Sequence, residues 1–220
     1  MKFDVRIRGV TLLCVGGGRP EPGVDIAFMK RVKPGEEGAY EYYIPGSSFK
    51  GALRSAASRV AEAYGFKFCG EVDPRRLEER HERGEPCDVC RLFGYPSRLP
   101  GRGISRLFVS DFTPVKEPEP LIVTRVRIDD NSLRAAEGVL FNLEYIPPGI
   151  EFRGEIWLVD RDLVGLLLLA LAELRLDRFG RGSIIDLRVE DDAELEEAVR
   201  GTRWMGLLKD LREWMWIEDI

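Results

Sequence analysis

Ile44-Pro45-Gly46-Ser47-Ser48-Phe49-Lys50-Gly51-Ala52-Leu53-Arg54 carries a strand-to-helix junction. A strand over 40–44 runs into a Pro-Gly turn. Two serines follow, and then Phe49, Leu53, Ala56 or Ala57, Val60, Ala61 and Tyr64 recur at helical spacing as a buried stripe. Ser47 or Ser48 is a natural N-cap, because a hydroxyl accepts one of the backbone N–H groups that a helix start leaves open. Such a start is also an anion site, with N–H donors and the positive dipole end pointing outward. Lys50 and Arg54, four apart, share a face one turn in. Together these groups suit a nucleic-acid phosphate; the same pattern also describes an ordinary capped strand–turn–helix with solvated cations.

Working outward, residues 2–15 alternate, with Phe3, Val5 and Ile7 set against Asp4, Arg6 and Arg8, which reads as a half-buried strand. Residues 16–23 are too rich in Gly and Pro for regular structure. They lead to Asp25, by composition a turn-forming or capping carboxylate. Residues 66–103 read as an insertion containing Cys69, His81, Cys87 and Cys90, a Cys-x11-His-x5-Cys-x2-Cys pattern. Two thiolates at C-x2-C spacing grip one side of a tetrahedral zinc, and a third thiolate and an imidazole complete it. The segment from Pro74 to Glu85 is almost all charged, and a metal clip would supply the order its few apolar residues cannot. Reduced buried cysteines or a disulfide are the alternatives. A closed four-ligand site leaves no position for catalysis. Cys14 reads as a buried thiol.

Residues 105–112 alternate as a strand. A second insertion, 113–149, opens with Pro114, Pro118 and Pro120 and returns through 139–146, two extended arms around a polar tip that includes Asp130 and Asn131. Arg125 and Arg127 lie two apart on one strand face and could follow phosphates; a solvated edge strand has the same look. Residues 150–159 form another strand. A very apolar helix, 163–176, follows an Asp160 or Asp162 cap. Gly180-Arg181-Gly182-Ser183 forms a loop, and 184–189 the last strand. In the tail, Trp204, Leu207, Leu208, Leu211, Trp214 and Met215 make a stripe that packs on its own domain or on a neighbouring subunit.

Ile44 to Arg54, with Cys90-Arg91-Leu92-Phe93-Gly94, 105–111 and 125–152, resembles the RAMP superfamily of CRISPR-associated proteins over about residues 1–190. It is most similar to the repeated backbone subunit of type III (Csm- and Cmr-type) effector complexes. The order of elements, with the resemblance, implies an α+β fold, a ferredoxin-like (RRM-like) βαββαβ core with two insertions, spanning 1–190; the helical tail over 191–220 has no counterpart in the family pattern. It implies that 113–149 is a thumb that wedges into the guide, and that Gly180, Arg181 and Gly182 form a loop whose N–H groups meet RNA phosphate. Ser47, Ser48, Lys50, Arg54, Arg125 and Arg127 would share that RNA contact. Asp25 stands where the family carries an aspartate implicated in target cleavage, with Glu21 its nearest acidic competitor. The implied partners are guide RNA, complementary target RNA, copies of itself and other CRISPR effector subunits. The cofactors expected are structural Zn at Cys69, His81, Cys87 and Cys90, from their spacing, and, from the resemblance, Mg or another divalent metal for RNA cleavage. A non-catalytic scaffold and a guide-processing endoribonuclease are the alternatives; the latter's histidine would have to be His81, the only one in the chain.

The totals bound these readings. The 220 residues carry a net charge of −5, an unexpected sign for an RNA binder. Residues 186–220 hold 11 Asp and Glu against 5 Lys and Arg, a net of −6, so the preceding 185 residues sum to +1. A local basic groove on a neutral body still binds phosphate. No apolar run is long enough to span a bilayer, and charges interrupt the N-terminus, so the expectation is a cytoplasmic protein. No GxxxxGK[ST], HExxH or nucleophile elbow is present to support nucleotide hydrolysis or protease chemistry.

Overall fold

A computed structural model describes residues 1–33, 35, 36, 38–82, 84–129, 132, 134–213, 215 and 216. Trp214 of the tail stripe, and Asp130 and Asn131 of the hairpin tip, lie outside them.

The core is a mixed α+β layer. β1 (Lys2–Gly9) lies in the centre of an antiparallel sheet, paired on one side with β8 (Glu151–Leu158) and on the other with β9 (Ile185–Glu190). β4 (Leu107–Val109) pairs with the far side of β8, giving the order β4-β8-β1-β9. Two helices, α1 (Gly46–Val60) and α4 (Val164–Leu176), link these strands and pack against each other on one face. The chain order is therefore strand, helix, strand, strand, helix, strand, interleaved so that each helix crosses a neighbouring strand, as in a split βαβ unit. β5 (Thr113–Pro114) adds a short pairing to β8.

Alternation decides which side each strand buries. Phe3, Val5, Ile7, Phe152, Ile156, Leu187 and Val189 face the helices and are buried with Phe49, Leu53, Ala56 and Ala57 of α1. The opposite face is a lattice of charge. Asp4 sits opposite Glu155 and Glu190, Arg6 opposite Arg153 and Arg188, and Arg8 opposite Glu151 and Asp186. Like charges directly opposite destabilise a sheet. Here they are relieved between rows: Arg6 bonds Glu151 and Glu190, each at 2.8 Å, and Arg153 bonds Asp4. Trp216 lies over Arg8 and Arg188, with guanidinium carbons 4.1 and 4.6 Å from its ring. The face on which an RRM sheet would stack bases is thus largely occupied by ion pairs, with aromatic side chains at one corner, where Phe108 pairs across from Trp157.

α4 is apolar on nearly every side because it lies on the sheet and is covered on two further sides: α1 takes one, and the tail helix α6 (Trp204–Arg212) takes the other. Gly165 makes the second contact possible: a Cβ there would sit 2.3 Å from the Trp204 ring. Leu208 and Leu211 are fully buried, so the tail stripe packs on its own domain, with α5 (Ala193–Val199) beside it.

Two excursions leave the core. The first holds α2 (Pro74–Glu82) and α3 (Asp88–Phe93). The second is a hairpin of β6 (Leu121–Ile128) and β7 (Ala135–Tyr145). A smaller hairpin, β2 (Lys30–Val32) with β3 (Tyr40–Tyr42), precedes α1. No helix among the described residues is long and apolar enough to cross a membrane.

Candidate functional site

The strongest chemical constellation lies in the first excursion. One ligand atom from each of Cys69, His81, Cys87 and Cys90 lies within 4.8 Å of the others, and His81, Cys87 and Cys90 are buried. α2 brings His81 inward on the same face as Leu77, and α3 starts immediately after Cys87, so Cys90 falls one turn on. The cysteines are free thiols, and Cys69 Sγ stands 3.8 Å from Cys90 Sγ. That is the edge of a tetrahedron with metal–sulfur bonds of about 2.3 Å, the length for zinc. His81 is 3% exposed, and its Nε2 has no hydrogen-bond partner among the described residues. A buried, unpaired imidazole nitrogen costs free energy unless something binds it. The donor set therefore fits a metal ion. Bonds from Cys90 and then Cys69 draw the Cys87 thiol down to about 5, whereas the bond to Cys87 and burial push Cys90 up. Cys87 is thus the thiol of the pair that ionises first.

The signature helix differs from expectation at three points. It begins at Gly46, with Pro45 as the cap residue, and no serine side chain caps it. The cap comes from another strand end: Asp111 Oδ1 accepts the Gly46 N–H at 2.9 Å, while Arg31 pairs with Asp111 at 3.1 Å. Gly46 is required by closeness, since a Cβ there would lie 2.4 Å from the Val109 carbonyl oxygen. Ser47 and Ser48 are left exposed on the first turn. Lys50 and Arg54 do not form an open cationic face. Lys50 Nζ donates to Ser105 Oγ at 2.6 Å and to the Leu107 carbonyl at 2.8 Å. Burial, with Arg54 nearby, lowers its pKa. Arg54 donates to the Gly94 carbonyl at 2.7 Å and to Cys90 Sγ at 3.6 Å. These partners lie far away in sequence, so helical spacing gave no sign of them.

Asp25 lies at the root of the β6–β7 hairpin. Its N–H donates to the Asn142 carbonyl at 2.9 Å, and its Oδ2 accepts the Asn142 N–H at 2.7 Å. Ile26 adds a parallel bridge to Leu143. Glu21, the competing acid, is instead paired with Lys30 at 2.7 Å. Lys30 also meets the buried Glu144, which accepts from Tyr42 Oη at 3.0 Å and from the Phe28 N–H at 2.9 Å. Burial and this carboxylate push the Tyr42 phenol up to about 12. The Glu144 network went unread in the sequence, because Glu144 stands between Leu143 and Tyr145, where the alternation of the strand places an outward, polar residue.

The glycine loop adjoins this root. Gly180 takes φ +57°, and the Arg181 N–H donates to the Cys14 carbonyl at 2.9 Å. Arg181 is exposed beside Gly16, whose own neighbour is Ile26, and Gly182 is exposed at φ +87°. Phe179 packs on Phe49 of α1, with ring centroids 6.0 Å apart. The first turn of α1, the glycine loop and the Asp25 segment are therefore linked through adjacent residues, whereas Lys50 turns to Ser105 and β4, and Arg54 to the metal excursion. Arg125 and Arg127 sit farther out on exposed β6. Arg125 stacks on Tyr145 at 5.7 Å, and the irregularity between Val126 and Ile128 falls at Arg127. The extra residues of that irregularity lie on β7, between the partners of Val126 and Ile128, and Arg125 and Arg127 keep their two-residue spacing on β6.

No curated protein matches the chain. Among solved structures, the chain is similar to one described as a type IV-B CRISPR complex. The TM-score is 0.60 at 16% identity, covering 88% of this chain and 92% of that one. The likeness is one of fold. The RAMP superfamily model matches residues 6–185, from the first strand to the last. The chain belongs to the RAMP superfamily.

Proposed function

We propose that this chain is a backbone subunit of a type III-like CRISPR interference complex, several copies of which coat the guide RNA. The observation that carries the reading is the juxtaposition, in a RAMP chain, of a long hairpin, an exposed acid at its root and a glycine loop leading to the start of α1. Membership and a fold shared with a CRISPR complex structure support it. Ser47, Ser48, Gly180, Arg181 and Gly182 take guide phosphates, and Arg125 and Arg127 follow the strand along the hairpin. A local patch of this kind needs no positive total charge.

In this reading Asp25 cleaves target RNA beside the hairpin. One carboxylate oxygen is committed to Asn142. The other accepts the proton of a target 2′-hydroxyl; that oxygen attacks the adjacent phosphorus, and the 5′ oxygen leaves with a proton from water. A divalent cation, when bound by Asp25 and substrate phosphate, would supply charge stabilisation. Zinc at Cys69, His81, Cys87 and Cys90 is structural, because four protein ligands close a tetrahedron. His81 is buried in that cluster and so does not serve the guide-processing reading.

The bond from Asn142 to Asp25 also favours a second reading, a scaffold in which Asp25 only anchors the hairpin. The test is the complex assembled on its guide RNA, given labelled complementary RNA and Mg²⁺. Regularly spaced cuts, lost in Asp25→Ala while target binding persists, support the nuclease. Cuts in neither protein support the scaffold. Cuts that survive the substitution move the chemistry elsewhere.

A further inference from the structure

Arg54 has a place in the metal excursion that its position in the signature does not announce. It sits two turns into α1, partly buried. Its guanidinium spans two acceptors, with one terminal nitrogen 2.7 Å from the Gly94 carbonyl and the other 3.6 Å from Cys90 Sγ. Gly94 closes α3, the helix that carries Cys90. A single side chain of α1 therefore holds both a candidate ligand and the end of the helix presenting it.

Charge gives the same answer. A zinc ion held by three thiolates and a neutral imidazole carries a net charge of −1, since 2 − 3 = −1. Burying that charge is expensive without a cation nearby. Arg54 brings a guanidinium to the sulfur of the most buried of the three cysteines. Its planar fork can serve the carbonyl and the sulfur together, which a lysine ammonium on a flexible stem cannot do as well. Outer partners of metal ligands orient them and typically contribute 10–100-fold to metal affinity.

We infer that Arg54 is a positioning residue of the metal centre, bonding the Cys90 thiolate and fastening the signature helix to the excursion. The inference rests on the zinc reading above. It also implies that Arg54 is not one of the phosphate contacts.

The test uses the full chain and its Arg54→Gln and Arg54→Lys variants, loaded with zinc and titrated against a chelating indicator. Zinc affinity should fall about 10–100-fold in Arg54→Gln, with Arg54→Lys between the two because it keeps the charge and loses the fork. The Co²⁺-loaded Arg54→Lys chain provides a second readout should the glutamine variant not fold, since a changed thiolate-to-metal absorption reports a moved Cys90 sulfur. RNA binding by the same proteins separates the roles. A phosphate contact would weaken RNA binding and lower its salt slope by about one while leaving zinc affinity untouched, and that outcome would overturn the inference. Zinc affinity and Co²⁺ absorption equal to wild type in both variants would overturn it too. A wild-type chain that binds no zinc would instead sink the metal reading itself.

Discussion

The fit between Gly165 and Trp204 predicts a reversal of sign. A Cβ on Gly165 would stand 2.3, 2.4 and 2.6 Å from Cε2, Nε1 and Cζ2 of the indole. Comfortable carbon contacts are about 3.5–4.0 Å, so the ring must retreat by more than an ångström. It has little room, being stacked on Phe66 at 5.9 Å with Arg203 at 4.2 Å. Overpacking of this kind costs about 1–3 kcal/mol. Replacing a helical glycine by alanine returns about 0.5–1 kcal/mol. Gly165→Ala should thus destabilise by about 1–2 kcal/mol and lower Tm by roughly 2–8 °C for a chain of this size. With Trp204→Ala already in place, the obstacle is gone and only the helix term remains. There the same substitution should raise Tm by roughly 1–4 °C. Urea unfolding of the four proteins measures the coupling, provided the m-values agree. Equal destabilisation by Gly165→Ala in both backgrounds would refute the argument, because the glycine would then serve something other than the indole.

Three further outcomes are expected. Metal analysis of the purified chain should find about one zinc, and a chelator should lower Tm, because an ion bound to the folded state alone stabilises it by mass action; Cys90→Ser should abolish that sensitivity. Gly46→Ala should cost at least about 2 kcal/mol, since its Cβ meets the backbone oxygens of Val109 and Ser110 at 2.4 and 2.5 Å, whereas Asp111→Ala, which removes the acceptor that caps the helix, should cost about 1 kcal/mol by thermal unfolding. Tyr42, raised to about 12 from an ordinary 10, binds its proton more tightly folded than unfolded; its contribution is complete below pH 10, disappears as pH rises through 12, and should be absent from the alkaline stability profile of Tyr42→Phe.

The alternation of Phe3, Val5 and Ile7 and the stripe of α1 made the core legible in sequence, because a sheet face and a helix face each have a period. The Cys/His excursion was legible for a related reason: metal geometry constrains ligand spacing. What escaped was set by contacts between distant elements. The start of α1 moved to Gly46 because Asp111, 65 residues on, supplies its cap. Lys50 and Arg54 looked like a solvated pair because their acceptors, Leu107 and Gly94, lie 57 and 40 residues away. The tail showed a stripe but not its destination, since only the structure shows that Gly165 clears a seat for Trp204.

The bonds between Asp25 and Asn142 have a mechanical consequence. Asp25 belongs to the N-terminal stretch by sequence, yet its N–H and carboxylate both bond to β7, and Ile26 bonds it on either side. The carboxylate is therefore hinged with the hairpin rather than with the sheet. In the proposed function the spacing between the hairpin and the acid would then be set by these bonds to β7 and not by the orientation of the hairpin on the core.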